Sequence, residues 1–258
     1  MTPDDARDLA DAIIDARAHG RLLTAPLDHG LTADQAYAVQ SLVLQPRMAR
    51  GGGRGGWKLG YTSEAMREQM GVVEPNYGPL AKAMFLPTGA TVSEGVVHPR
   101  VEPEVAAVVG RDIPPDAELD EVRAAVAHWR IALEIVDSVW QDYRFDWSLN
   151  TADGSSAAFV VMGDVIDLTV SSPLPSLEVG IRMDGEVVGR GRVDAAMGDP
   201  AVALHWLVSR LAEQGEIVRA GETVITGGLT AAHQWTPGAE LSAAIGSASV
   251  RAVRGQKR

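Results

Sequence analysis

Val101-Glu102-Pro103-Glu104-Val105 places two carboxylates one residue apart inside a β-branched, apolar run. Read as a strand, it turns residues 102 and 104 to the same face, where their side chains are near neighbours. Two such charges ~4 Å apart repel by roughly 4 kcal/mol at an effective dielectric near 20. A shared proton, a basic side chain or a divalent cation would offset that repulsion. Pro103 has no N–H to give to a ladder, so the stretch is expected at a bulge or sheet edge, at the mouth of a site.

Around this run the texture of the chain changes. Before it lie two amphipathic helices. The first is capped by Thr2 and Pro3 and buries Ala6, Leu9, Ile13 and Ala16; the second starts at Thr32 with Gln35 completing a capping box and is kinked or ended by Pro46. Thr62 or Ser63 caps a short helix through Met70, and 71–78 reads as a loop. From about Val92 onward the chain is short β-rich runs divided by Gly, Pro and Asp: 101–109, 131–136, 158–162, 177–183, 186–193, 223–226 and 240–253, with a hairpin turn at Asp184-Gly185. Two helices interrupt them, at about 117–128 and from Asp199 and Pro200 to about Gln214. The fold class is α+β, a mainly β body with a helical N-terminal portion; the strand-helix alternation of a dinucleotide-binding sheet is missing.

Composition narrows the function. With 258 residues, 46% of them apolar, the chain can bury a substantial core. A formal charge of −11, from 23 basic and 34 acidic residues, argues against a nucleic-acid partner and requires a local positive centre for any anionic substrate. Cysteine is absent, which removes disulfides and thiolate chemistry and fits a cytoplasmic protein. The acidic N-terminus does not read as a signal peptide, and no run approaches the ~20 apolar residues of a membrane span.

Gly51-Gly52-Gly53-Arg54-Gly55-Gly56 leads into Trp57-Lys58-Leu59-Gly60-Tyr61, a short apolar strand with one lysine. The spacing of a phosphate-binding loop is not met. Lys58 is either a surface cation on an apolar stem or a placed one. Glu134 sits in Ile131-Ala132-Leu133-Glu134-Ile135-Val136-Asp137-Ser138, with Asp137 on the opposite face. Exposed Glu-x-Glu pairs are ordinary, so spacing alone leaves three unrelated surface acids open. If they converge, an oxygen-only set suits Mg²⁺ or Mn²⁺ and is a poor zinc site. The six histidines, with His128 and His205 in expected helices, read as structural; Trp140, Trp147 and Trp235 are the tryptophans for a pocket wall.

Several stretches together resemble one family. They are Gly56-Trp57-Lys58-Leu59-Gly60, Gly71-Val72-Val73-Glu74-Pro75-Asn76-Tyr77-Gly78, the Glu102-Pro103-Glu104 run, Ala132 to Ser138, Thr151-Ala152-Asp153-Gly154-Ser155-Ser156-Ala157, Gly227-Gly228-Leu229-Thr230-Ala231-Ala232 and Gly246-Ser247-Ala248-Ser249-Val250. The chain is similar to the hydratase/decarboxylase family of catechol meta-cleavage pathways, within the fumarylacetoacetate hydrolase superfamily. The resemblance implies a mixed-β catalytic body over 76–258 that binds the metal, and a helical portion over 1–75 that carries the active-site lysine. It implies that Glu102, Glu104 and Glu134 hold Mg²⁺ or Mn²⁺ and that Lys58 is catalytic. Leu59, Tyr77, Ser156 and Thr230, with Trp140, are the candidate substrate contacts. The expected substrate is a small 2-oxo or 2-hydroxy acid, the expected assembly a homo-oligomer, with a companion hydratase or decarboxylase as partner.

Departures from the pattern sharpen the choice of reaction. Hydratases resemble Pro-Asp-Phe/Tyr-Gly where this chain has Pro75-Asn76-Tyr77-Gly78, and an amide is no carboxylate base. Asn76 therefore joins Lys58 as the candidate catalytic position and tilts the reading toward decarboxylation of a 4-oxalocrotonate-like 2-oxo-3-enedioate, with a 2-hydroxypentadienoate-type hydratase as the alternative. Val139 replaces a usual arginine, which suggests a lost anion contact, and Gly154 replaces a usual asparagine; Trp140, Trp147, His233 and Trp235 are expected to shape the altered pocket. A non-catalytic partner subunit is the reading from a different class.

Overall fold

A computed structural model describes every residue except 1, 27–28, 65–66, 69–70, 169–172 and 257–258. Helix α1 (Pro3–Ala18) opens on a reciprocal cap, with Asp5 N donating to Thr2 and Thr2 N donating to the Asp5 carboxylate. Helix α2 (Ala33–Arg50) repeats the device with Thr32 and Gln35. Pro46 does not end it, because the last turn is tied down: Arg47 donates to the carbonyls of Ala157 and Ala158 at 2.7 and 2.6 Å. The helices bury Ala10, Ile13, Ala36, Val39 and Val43 against Trp140 and Leu149. The short helix expected over 62–70 falls partly outside the described residues.

The strands follow as β1 (Arg54–Gly60), β2 (Asn76–Ala81), β3 (Phe85–Pro87), β4 (Ala90–Val92) and β5 (Arg100–Val109). Helix α3 (Leu119–Ala125) and β6 (Val126–Val136) adjoin, and helix α4 (Trp147–Ala152) precedes β7 (Ala157–Val165). After β8 (Glu178–Met183) and β9 (Glu186–Arg192) come helix α5 (Pro200–Ala212), β10 (Thr223–Ile225), β11 (His233–Gln234), β12 (Glu240–Ile245) and β13 (Ala248–Arg254). One sheet runs β2-β1-β10-β5-β6-β7-β3 with β11 added beside β5; the second runs β4-β13-β12-β8-β9. The position near residue 75 expected to separate two portions falls between β1 and β2, neighbours in one sheet.

Several boundaries differ from the sequence reading. The expected helix 117–128 stops at Ala125, since Val126 and His128 pair with Val109 and Val108, so His128 lies in a strand. Residues 76–78 open β2 rather than forming a loop, 240–253 is a hairpin turning at Gly246, and α4 was not anticipated although Asp146 caps it through Leu149 N. Pro103 is at neither an edge nor a bulge. Its carbonyl accepts from Leu229 N, so its nitrogen faces the gap between β10 and β11 and the β5–β6 ladder loses no bond. Among the described residues, no helix is long and apolar enough to cross a membrane.

Strand parity places the chemistry. Val101, Val105, Ile131, Leu133 and Ile135 point into a core shared with Ile181, Leu241, Ile245 and Val250 of the second sheet. Residues 100, 102 and 104 on β5 and 134 and 136 on β6 point the other way.

Candidate active site

Glu102 lies directly across the ladder from Glu134, and Glu104 is one strand repeat along on the same face. One carboxylate oxygen from each falls within 4.8 Å of the others. Like charges opposed across a ladder are destabilising, and here they are also removed from water. Burial first, and then Glu134, push the Glu102 carboxyl up to about 7 against the opposing pull of Lys58 and Arg100; part of its surface stays open to the cavity, so water moderates the push. Glu104 is fully buried and raised further, by burial, Glu134 and Glu102.

The loop after β10 fits around these acids. Gly227 N donates to Glu104 Oε2 at 2.7 Å, and a Cβ at Gly228 would collide with the Glu102 carboxylate. Gly227 adopts φ 107, and a side chain there would strike the Thr62 hydroxyl, so both positions require glycine.

Lys58 alternates with Trp57 and Leu59, whose side chains enter the core around α5. The ammonium is buried, donates to Ser155 O at 2.7 Å and lies 2.7 Å from Glu134 Oε1. That ion pair is close in distance but not aligned as a hydrogen bond, and Glu134 Oε1, like Glu104 Oε1, has no directed partner. Three convergent carboxylates with a single ammonium in contact, and with Glu104 Oε1 lacking any hydrogen-bond partner, fit a divalent cation with oxygen ligands.

Lys58, Glu102 and Glu134 face a cavity of about 400 Å³; Glu104 is not on its wall. Of the expected substrate contacts, Leu59, Ser156 and Thr230 line it with Lys58, Glu102 and Glu134. Tyr77 does not; its ring stacks on Tyr37 at 4.7 Å in an aromatic cluster with Trp57 and Trp206. Nor does Trp140, which is buried beneath the N-terminal helices and donates Nε1 to Leu149 O. Trp147, Trp235 and His233 are likewise absent from the wall, and Val139 is buried with Trp140. Asn76 sits one layer back, fully buried, donating to Asn150 Oδ1 and Thr151 Oγ1 and accepting from Ser155 Oγ.

The sequence reading missed Tyr61, Thr62, Arg100, Tyr143, Asn150 and Ser155 on this wall. Backbone strain marks several of them. Of seven non-glycine residues with positive φ among the described residues, four, namely Tyr61, Tyr143, Ser155 and Ser156, line the cavity. Gly154, Ser155 and Ser156 form a left-handed run held by Asn150, Asn76 and Asp153. Burial pushes the Tyr61 phenol up, so it stays a neutral donor.

A family model described as "Fumarylacetoacetate (FAA) hydrolase C-terminal" matches residues 58–253. The chain is 33% identical to a 4-oxalocrotonate decarboxylase of Pseudomonas putida over 86% of each chain, and 33% identical to a 2-keto-4-pentenoate hydratase of Burkholderia vietnamiensis over the same shares. The solved structure of 4-oxalocrotonate decarboxylase from Pseudomonas putida G7, complexed with magnesium and adipate, superposes with a TM-score of 0.91 at 32% identity, covering 98% of both chains.

Proposed function

The chain belongs to the fumarylacetoacetate hydrolase family, in its hydratase/decarboxylase group, and on that premise we propose that it is a divalent-metal-dependent lyase decarboxylating a 4-oxalocrotonate-like 2-oxo-3-enedioate. The reading is carried by the acid trio, in which Glu104 Oε1 has no hydrogen-bond partner and Glu134 Oε1 has only the Lys58 ammonium, with Glu102, Glu134 and Lys58 on the wall of the cavity. Glu102, Glu104 and Glu134 would hold Mg²⁺ or Mn²⁺. When bound, such a cation stabilises charge developing on a substrate oxygen.

The remaining work belongs to the chain's own side chains. Ser156, Thr230 and Leu59 bound the space in which the acid lies, and Tyr61 offers a neutral donor. As the bond to the remote carboxylate breaks and CO₂ leaves, the electron pair moves through the alkene to the 2-oxo oxygen. Lys58 Nζ, oriented by Ser155 O and Glu134, supplies the proton that this oxygen takes up, giving a 2-hydroxydienoate. Asn76 is a positioning residue in this reading, holding Ser155 and through it the lysine.

Hydration is the second reading, supported by hydratase relatives of equal identity. Adding water requires a base, and among the described residues the carboxylates on the cavity wall, Glu102 and Glu134, are those that would hold the metal, while Asn76 is an amide. Decarboxylation needs no base for its bond-breaking step and is preferred. Purified protein with Mg²⁺ should consume the ultraviolet absorbance of 2-oxo-3-hexenedioate and release CO₂. Failure to turn over either that acid or a 2-hydroxydienoate removes the reading, and activity only in the presence of a co-purified companion favours a partner-subunit role. The same reading takes the protein as a cytoplasmic homo-oligomer of aromatic catabolism, which light scattering and cell fractionation test.

A further inference from the structure

We infer that Arg100 is the specificity residue for the remote carboxylate of the substrate, so that the site selects dicarboxylic over monocarboxylic 2-oxo acids; this rests on the lyase reading above. Lys58 and Arg100 are the two cations on the described part of the cavity wall. Lys58 is already engaged by Glu134 and Ser155. No carboxylate among the described residues forms an ion pair with Arg100, although the chain carries eleven more acidic than basic residues. A guanidinium facing a cavity with no carboxylate in contact is a ready site for an anion, and its planar fork fits a carboxylate through two parallel bonds.

Its position sets which carboxylate that is. Arg100 is two residues from Glu102 on the same strand face, so their Cα atoms are roughly 6.6–6.8 Å apart. The chain of a six-carbon acid is of similar length, so one end can lie at the acid trio and the other at Arg100. Val136, the cross-strand partner of Arg100, supplies an apolar floor between. The guanidinium is also pre-positioned. It lies 4.1 Å from the centroid of the Tyr143 ring, and the Tyr143 hydroxyl is fixed by the carbonyls of His98 and Val136, each at 3.1 Å. Tyr143 holds a left-handed φ of 57, a strained conformation expected where a side chain must be aimed. An ion pair with the carboxylate that leaves holds the substrate before the bond breaks, so Arg100 contributes to binding rather than to the chemical step.

The test uses 2-oxoadipate and 2-oxohexanoate, which share the 2-oxo acid head and differ in the remote carboxylate. With Mg²⁺ present, calorimetry on the wild-type protein should show the dicarboxylate bound more tightly. In Arg100→Met that affinity should fall roughly 10- to 100-fold, the loss of a charge-assisted pair, measured with Mg²⁺ saturating and with 2-oxohexanoate affinity unchanged. Arg100→Lys should recover part of the loss, and in turnover KM should rise with kcat within about two-fold. Equal weakening of both acids, or of neither, overturns the assignment and leaves the lyase reading intact. Failure of the wild-type protein to bind either acid overturns the lyase reading and the assignment with it.

Discussion

Two buried acid centres lie close together in this protein and are built in opposite ways. Asp153 is saturated: Arg17 of α1 donates Nε to Oδ1 at 3.0 Å and a second nitrogen at 2.5 Å, while Val139 N, Ser138 and Ser156 reach Oδ2. Burial raises its carboxyl, and Arg17 pulls it back. The Glu102, Glu104 and Glu134 trio has one ammonium, 2.7 Å from Glu134 Oε1, and leaves Glu104 Oε1 without a hydrogen-bond partner. A buried carboxylate alone is therefore no sign of a site. Asp153 ties the N-terminal helix to the strained 154–156 turn, whereas the trio keeps an electrostatic demand that the chain leaves unmet.

The contrast breaks most readily on substitution. Glu104→Gln should abolish detectable Mg²⁺ binding by calorimetry and reduce turnover to background, while raising the melting temperature of the metal-free protein because an acid that burial and its neighbours hold back from ionising is replaced by a neutral amide. A stability loss in the metal-free state would place Glu104 with Asp153, as a structural acid. Asp153→Asn should do the reverse, costing about 3 kcal/mol in denaturant unfolding by leaving Arg17 without its partner. It should retain metal affinity.

A smaller effect separates the centres by pH. Glu102 moves from an ordinary 4.5 to about 7 in the folded protein, so the native state holds its proton more tightly than the unfolded chain between those values. Stability of the metal-free protein should be highest below about pH 4.5 with respect to this group and fall as pH rises through 7. Saturating Mg²⁺ should flatten that slope, and Mg²⁺ affinity should rise over the same window because protons are released. A denaturant midpoint that climbs with pH in chelator would contradict the arrangement. The smallest effect concerns Trp140. Trp140→Phe should cost about 1 kcal/mol through the lost bond to Leu149 O, with KM unchanged. A shifted KM would return Trp140 to the cavity wall.

Much of the site was legible because it depends on strand parity. Glu102 and Glu104 lie on one face of one strand, and that follows from the period of two. The pattern around 131–136 likewise put Glu134 on a strand. The aromatic assignments were not legible in the same way. Trp140 and Tyr77 have the right chemistry for a pocket, but the helical layer and an aromatic cluster claimed them, and residue type does not reveal which apolar surface a ring will cover. Asn150, Ser155 and Tyr143 were missed because turns and a short helix bring them in, and the left-handed backbone of Ser155 and Tyr143 has no signature in side-chain type. Asp146 before Trp147 was a readable cap for that helix.

By itself the sequence determined the class of fold, the helix caps, the strands that carry the acids and the excess of negative charge, all of them consequences of local periodicity and composition. The tertiary structure decided what the acids mean. It set Glu102 opposite Glu134, drove Lys58 in from another strand, and left Arg100 facing the cavity with no carboxylate in contact among the described residues. Pairing across a sheet joins residues tens of positions apart, and electrostatic demand depends on those distances and on burial, which no local stretch of chain contains.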